Sequence, residues 1–501
     1  MKITSPGQRT GPSPAPLLGK ARGVRVARTA HCAPIPPLLS KERGLGGEVI
    51  LLLALLLALL PAPTRADLPP THYRGSRSVS GWLPYWMNLN GAGSGWKAVQ
   101  DHADQLDEVS FFSWVIDPET GDLAPPIKGM DLPVVDAQVD WLHSRDISPM
   151  FTVTLFTKVH ETLNNPAVLA RVTQQIVETA RLHNFDGVDI DFEEFKAGDP
   201  GDPARYTAFL DTLAKAMHTE LTPSGYPKTA IATVLSRTQR GKFRFTDEDA
   251  IAKSDIDRIR VMAYDDYYPG SKTAGAGAPL PWVLDVVKFI DSVDDPNRKF
   301  VLGIPGYAYR WPVAGESDTV ALAKGKSVTH PQAISLMNQY KVKRVWDANS
   351  STPMFVYFEQ VIPDVPPPPP NATSYVGAPV AIQTWRAYYE DAESWRAKID
   401  QAVLPSHVAG IAEWALGYED PASWPMLRER LATPYPIYGA IGLCYARYGG
   451  GAFFGKPLGP AEPTGDVSDT APYGRAAISQ RFEHGTISYT WGQWRAEISG
   501  R

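Results

Sequence analysis

The stretch FDGVDIDFEEF, Phe185 to Phe195, sets Asp186, Asp189, Asp191, Glu193 and Glu194 among bulky apolar residues. Side chains alternate faces along a strand, so Gly187, Asp189, Asp191 and Glu193 share one side, and Val188, Ile190 and Phe192 share the other. Three carboxyl groups at two-residue spacing repel one another, and burial removes their hydration, so the pKa of at least one must rise. A carboxyl group kept protonated near neutral pH is a general acid. Glu193, the last of the three, is the candidate proton donor. Spaced acids also suit Ca2+, but an oxygen-coordinating loop wants Gly and polar residues between its ligands, and here Val188, Ile190 and Phe192 intervene. Asp186 and Glu194 fall on the other face by parity. Asp186 reads as a structural acid at a turn, and Glu194 as a surface group or a support to the site.

Such a row needs a sheet to hold it. Eight segments read as buried strands: VSGWLPYW, EVSFFSWVI, ISPMFTVTLF, FDGVDIDFE, TAIATVL, IRVMAYD, FVLGIPGYAY and VAGIAEWAL. Between most of them lie amphipathic stretches such as PAVLARVTQQIVETARLHN, with apolar residues three and four apart. Eight strands with helical crossovers predict an α/β fold, a closed (β/α)8 TIM barrel. Glu193 then sits at the C-terminal end of its strand, where barrel enzymes do their chemistry. A doubly wound open sheet is the competing architecture, but no Gly-x-Gly-x-x-Gly follows the first strand.

With 501 residues, 44% of them hydrophobic, the chain can bury a large core. A net charge of −5 and the lack of a dense Lys/Arg patch in the main body argue against nucleic acid. Only Cys32 and Cys444 occur, so there is no disulfide framework. Cys444 reads as a small buried hydrophobe in a helix. The histidines are scattered and form no His-Glu-x-x-His, so metal-free chemistry with no cofactor is expected.

The apolar run in VILLLALLLALLPAPTRA, Val49 to Ala66, is shorter than the roughly 18 to 20 residues of a spanning helix. It ends in a Pro break and small residues around Arg65, which predicts a secretory signal cleaved near Ala66; an uncleaved anchor is the alternative. Residues 1–48 show no helical or strand period and read as a basic leader or as sequence ahead of the true start. The domains expected are residues 1–66 as leader and signal, 67–78 as a linker, 79–432 as the barrel and 436–499 as a C-terminal module. Residues 312–405 read as a small α+β insertion between strands seven and eight, followed by the last barrel helix. Within it PDVPPPPPN reads as an extended projecting loop.

Asp186-Gly187-x-Asp189-x-Asp191-x-Glu193 resembles the signature of glycoside hydrolase family 18, the chitinase-like hydrolases. MAYD, Met262 to Asp265, is similar to the family's sixth-strand motif, VLGIPGYAYRW to its seventh strand, and GIAEWALGYED, with Trp414, to its eighth. GAPLPWVLDVVKF followed by KFVLGIPGYAYRW resembles the bacterial spore-cortex-lytic and cell-wall branch. That branch tends to carry a His or Trp soon after its Tyr-Asp, whereas this chain reads Asp266-Tyr267-Tyr268, so the groove is expected to differ.

The resemblance implies a substrate-assisted mechanism, in which the sugar's own 2-acetamido group attacks. Glu193 would protonate the glycosidic oxygen. Asp191 would orient the acetamido group and stabilise the oxazolinium ion, and Asp189 would share a proton with Asp191 or tune its charge. Tyr264 resembles the tyrosine that holds the acetamido carbonyl, and Asp265 a substrate ligand. Met262 is a further expected substrate contact. Trp414 would floor the sugar site, or is simply a core tryptophan. Tyr85 and Trp86 are either sugar contacts or loop aromatics.

Past YPIYG, the stretches AIGLCYARYGGGAFFGKPLGP and ISQRFEHGTISYTWGQWRAEISG resemble one unit of the LGFP repeat of secreted bacterial cell-wall proteins. The Leu-Gly-Phe-Pro core reads Pro457-Leu458-Gly459-Pro460 here. The module is expected either to attach to the wall or to pack on the barrel. The chain is thus expected to be a secreted or envelope-associated monomer that cuts N-acetylglucosamine-containing polysaccharide, peptidoglycan or chitin. A non-cutting lectin and a structural wall protein are the alternatives, and the intact acid row argues against both.

Overall fold

The computed structural model describes residues 74–361 and 381–499, apart from 89–90, 92, 125–129, 196–197, 240–244, 438, 465–476 and 491–495. The leader, the apolar run and the polyproline segment lie outside the described residues.

Seven strands come first: β1 Ser78–Pro84, β2 Glu108–Ile116, β3 Ser148–Leu155, β4 Gly187–Phe192, β5 Thr229–Leu235, β6 Arg258–Met262 and β7 Phe300–Pro305. The chain then leaves for five antiparallel strands, β8 Tyr307–Val313, β9 Lys326–Thr329, β10 Val345–Asp347, β11 Thr352–Val361 and β12 Ala381–Tyr388, before returning as β13 Gly410–Trp414. β1 to β7 and β13 pair in parallel, each with its neighbour, and β1 joins both β2 and β13. The sheet is therefore a closed eight-stranded barrel, and all eight segments read as strands are its staves.

Alternation along the strands explains the two layers. Val188, Ile190 and Phe192 turn outward into the apolar layer beneath the helices. Helix α1, Pro166–Leu182, buries Val168, Val172, Ile176 and Ala180, four residues apart on one face. It starts at Asn165, whose side chain accepts from Val168 N, with Pro166 at its first turn. Helix α2, Asp202–His218, lays Phe209 on Phe192, with centroids 5.7 Å apart and planes 15° from parallel. Each such buried apolar side chain contributes about 1.5–3 kcal/mol.

The insertion starts at Tyr307, earlier than the Pro312 expected. The alternating pattern of GIPGYAYRW runs on unbroken, but the chain leaves the barrel at Gly306. A Cβ at that position would lie 2.8 Å from Tyr418 Cβ and 2.9 Å from Glu419 N, so only glycine fits the exit. The lobe's sheet runs β9-β8-β12-β11-β10. Helix α3, His330–Tyr340, opened by a capping box between Thr329 and Gln332, covers a face carrying Phe355, Tyr357 and Trp385. Helix α4, Ala392–Lys398, then returns Trp395 to the barrel's own core.

Beyond Ile437, helix α5, Gly439–Arg447, and a short helix, Gly450–Phe454, pack with a four-stranded antiparallel sheet. Their core joins Ile441, Cys444, Tyr445, Phe454, Phe482 and Ile487. This unit bonds to the start of the barrel chain: Arg74 N donates to Ile437 O at 3.0 Å and Gly451 N to Ser76 O at 2.9 Å.

Candidate active site

All six residues of β4 are buried, and its acids turn into the barrel. Asp189 is enclosed by donors from four other strands. Its Oδ2 accepts from Trp82 Nε1 at 2.6 Å, Arg260 Nη1 at 3.0 Å and Thr152 Oγ1 at 3.3 Å, and its Oδ1 from Thr233 Oγ1 at 2.6 Å. Arg260, on β6, is fully buried, donates also to Ser110 Oγ and Glu108 Oε2, and stacks over the Trp82 ring. These four bonds fix Asp189 in place.

Asp191 stands in contrast. It is 5% exposed, and its Oδ1 has no hydrogen-bond partner among the described residues. Burial, then the charges of Glu193 and Asp189, hold its carboxyl well above the usual carboxylate range. Glu193 follows the end of β4, where its N donates to Leu155 O at 2.9 Å and extends the β3–β4 ladder. Its side chain is 8% exposed. Glu194 is buried as well, at 6%, which corrects the surface-group half of its reading. Asp186 accepts from His143 Nε2 at 2.9 Å, away from the acid row.

Tyr264 arrives just past β6, by the same alternation that turns Arg260 and Met262 inward. Burial, reinforced by Asp191, Asp265, Glu193 and Asp189, pushes its phenol well above its ordinary pKa, so it remains an O–H donor. Met262 is buried at the end of β6, just below it. Asp265 adopts a left-handed backbone, φ +65°, and its Oδ1 accepts from Tyr307 and Tyr309, each at 2.8 Å. Those bonds lower its pKa, but burial outweighs them and the net direction is upward.

Aromatic side chains crowd the mouth. Trp414, at the end of β13, meets Phe112 at 4.7 Å, Trp82 at 5.8 Å and Trp86 at 6.3 Å between centroids. Trp86 is 37% exposed, packs edge-on against Tyr85, and donates from Nε1 to Tyr418 Oη at 2.8 Å. These rings form one connected cluster, open on one side. Phe156, one residue past β3, is 48% exposed at the same end of the barrel. Among the described residues, no group of three or more His, Cys, Asp or Glu is placed to hold a metal ion.

Asp189, Asp191 and Glu193 on or just past β4 and Met262 and Tyr264 on or just past β6, the two strands that flank β5, thus gather toward the C-terminal end of the barrel, with Asp265 next to Tyr264 and Tyr85, Trp86 and Trp414 at the rim. Arg260, Trp82, Tyr307, Tyr309 and Phe156 join them without having been marked in the sequence. Parity alone could have found Arg260, since it lies two residues before Met262 on the inward face. The arrangement supplies a neutral acid, a phenol donor and an apolar floor around one point.

The model of the glycosyl hydrolases family 18 matches residues 156–419. The cortical fragment-lytic enzyme of Bacillus subtilis (strain 168) is 25% identical over 268 residues, 54% of this chain and 55% of that one. Chitotriosidase-1 of Mus musculus is 30% identical over 184 residues, 34% of this chain and 38% of its own. The chain therefore spans little more than half the length of the first relative and well under half of the second. Among solved structures, the spore cortex-lytic enzyme SleL of Bacillus cereus superposes with a TM-score of 0.56 at 21% identity, over 72% of this chain and 75% of that one, a likeness of fold.

Proposed function

Because the chain belongs to glycosyl hydrolases family 18, we propose that it is an exported glycosidase that hydrolyses β-1,4 bonds in polymers containing N-acetylglucosamine, peptidoglycan or chitin, by substrate-assisted retaining catalysis. The observation that carries this reading is the pairing of a buried Asp191, held neutral and with an oxygen left open, with the neutral phenol of Tyr264. Both suit an acetamido group, whose carbonyl oxygen accepts from Tyr264 and whose N–H donates to Asp191.

The proposed sequence balances as follows. The acetamido oxygen attacks C1 while Glu193 gives its proton to the leaving glycosidic oxygen, and the C1–O bond breaks. The proton that Glu193 gives is the row's one mobile proton, passed to it from Asp191 as the sugar binds, so Asp191 is by then the carboxylate that stabilises the oxazolinium cation. Glu193, now a carboxylate, takes a proton from water, whose oxygen opens the ring on the same face, so the product keeps its anomeric configuration. Trp414 and Trp86 give the sugar's C–H face a flat apolar surface. The apolar run of residues 49–66 supports export.

The test is the stereochemistry of the first product from soluble N-acetylglucosamine oligomers, followed by proton NMR. A β-anomer that mutarotates slowly to the α form supports the reading, together with no cleavage of the matching glucose oligomers. A first-formed α-anomer, or equal cleavage of oligomers that lack the acetamido group, overturns it.

A further inference from the structure

Two buried charges on different strands meet inside the barrel. Arg260 Nη1 contacts Asp189 Oδ2 at 3.0 Å, and both side chains are shut off from water. The other end of the guanidinium, Nη2, lies 3.1 Å from Glu108 Oε2 near the start of β2, and the group lies 5.0 Å from the centre of the Trp82 ring. Arg260 Nε has no partner, so the group is held from its two ends. Removing one member of a buried ion pair leaves the other charge uncompensated.

An inward arginine four residues before Tyr264 is not demanded by the barrel, which could fill that position with an apolar side chain. Its placement is explained by the acids. Resting on the glycosidase reading above, we propose that Arg260 is the positioning residue of the acid row: it holds Asp189 as a fixed, fully bonded carboxylate and so confines the row's mobile proton to Asp191 and Glu193. The sequence alone offered proton sharing between Asp189 and Asp191. With three donors on its Oδ2 and one on its Oδ1, Asp189 is held still, and in this proposal it acts through its charge rather than by exchanging the proton.

The charged and titratable groups facing the row are Glu108 from β2, Glu193 and Asp191 themselves, Arg260 from β6, Tyr264 past its end, and Tyr206 on α2. Tyr206 and Tyr264 are held neutral by burial and the acids' charge. Removing the cation should therefore draw one extra proton onto the carboxyls, since no other group there can supply it by ionising. Removing Glu108's negative charge should act in the opposite direction.

The experiment compares the unliganded chain with its R260Q, R260K, E108Q and R260Q/D189N variants by infrared difference spectroscopy at neutral pH, with circular dichroism confirming the fold. R260Q is expected to gain a protonated-carboxyl band that R260K and R260Q/D189N lack. On soluble N-acetylglucosamine oligomers, both limbs of the R260Q pH profile should move to higher pH by at least about half a unit, those of R260K should stay, and those of E108Q should move slightly lower. Should R260Q not fold, E108Q decides: a downward shift supports the proposal, and none overturns it. A folded R260Q with no new band and unmoved limbs overturns it too, because a merely structural arginine would lower stability alone. The infrared readout does not depend on turnover, so a chain that cleaves nothing sinks the glycosidase reading without deciding this one.

Discussion

Asp189 and Asp191 stand two residues apart on the same face of β4, yet one accepts four hydrogen bonds while Oδ1 of the other accepts none. Neighbouring acids of one strand thus separate into an anchor and a working group, and substitution should tell them apart.

Asp189→Asn should destabilise the chain by about 3 kcal/mol or more, because Arg260 keeps its charge inside the barrel with only the partly exposed Glu108 left to balance it. Asp191→Asn should leave stability at pH 7 unchanged or higher, since it removes a buried acid with one oxygen left without a donor among the described residues, while turnover falls at least about a hundredfold. Urea unfolding alongside oligomer hydrolysis reads both. Equal losses of stability in the two variants would contradict the division of roles.

A second buried acid predicts a pH effect away from the site. Burial, then Glu419, holds the Glu413 carboxyl well above its usual range, and among the described residues neither of its oxygens has a hydrogen-bond partner. A raised folded pKa means that the folded chain holds the proton longer than the unfolded one, so stability falls as pH rises above the unfolded value of about 4.3. Glu413→Gln should therefore gain on the order of 1 kcal/mol or more at pH 8 and nothing at pH 4. Thermal melts across that range check it, and a gain independent of pH would contradict it.

The eight staves were legible because each carries its own evidence: a short apolar run with period two between amphipathic helices. The acid row was legible for the same reason, since its spacing alone turns Asp189, Asp191 and Glu193 to one face. Arg260 was not, because its meaning lies in Asp189, 71 residues away, and beside Arg258 it reads as part of a charged strand end. The lobe's first strand was merged with β7 because Ile304 to Trp311 keeps one alternation across Gly306, where the path changes and the pattern does not. The rim joins Trp86 to Tyr418, 332 residues apart, a pairing that no local pattern encodes.

That rim gives a further prediction. Trp414→Ala removes a ring in contact with Phe112, Trp82 and Trp86, and should raise KM for soluble oligomers about tenfold, the scale of an aromatic contact worth roughly 1.5 kcal/mol. Trp86→Phe keeps a ring and loses the bond to Tyr418, so its effect should be smaller. An unchanged KM in Trp414→Ala would make that ring a core residue.

The C-terminal unit contacts the barrel's lower end through specific bonds. Tyr226 Oη donates to Ala440 O at 3.0 Å, and Arg258 to Ala446 O. Removing residues 436–501 would strand the buried Arg258 head, so the melting temperature should fall by several degrees, and Tyr226→Phe should cost about 1 kcal/mol. A truncated chain that melts as the full chain does, while the detached unit binds peptidoglycan, would show a separable wall-binding module.

The central claim is that Glu193 protonates the bond that breaks. Product release from N-acetylglucosamine oligomers and from peptidoglycan should be compared between the full chain and Glu193→Gln, with oligomer binding measured in parallel. A fall in kcat of about a hundredfold or more with binding retained is the predicted result, the scale of a lost general acid. Turnover that survives the substitution would contradict the account, and binding without turnover in the unsubstituted chain would make the barrel a lectin.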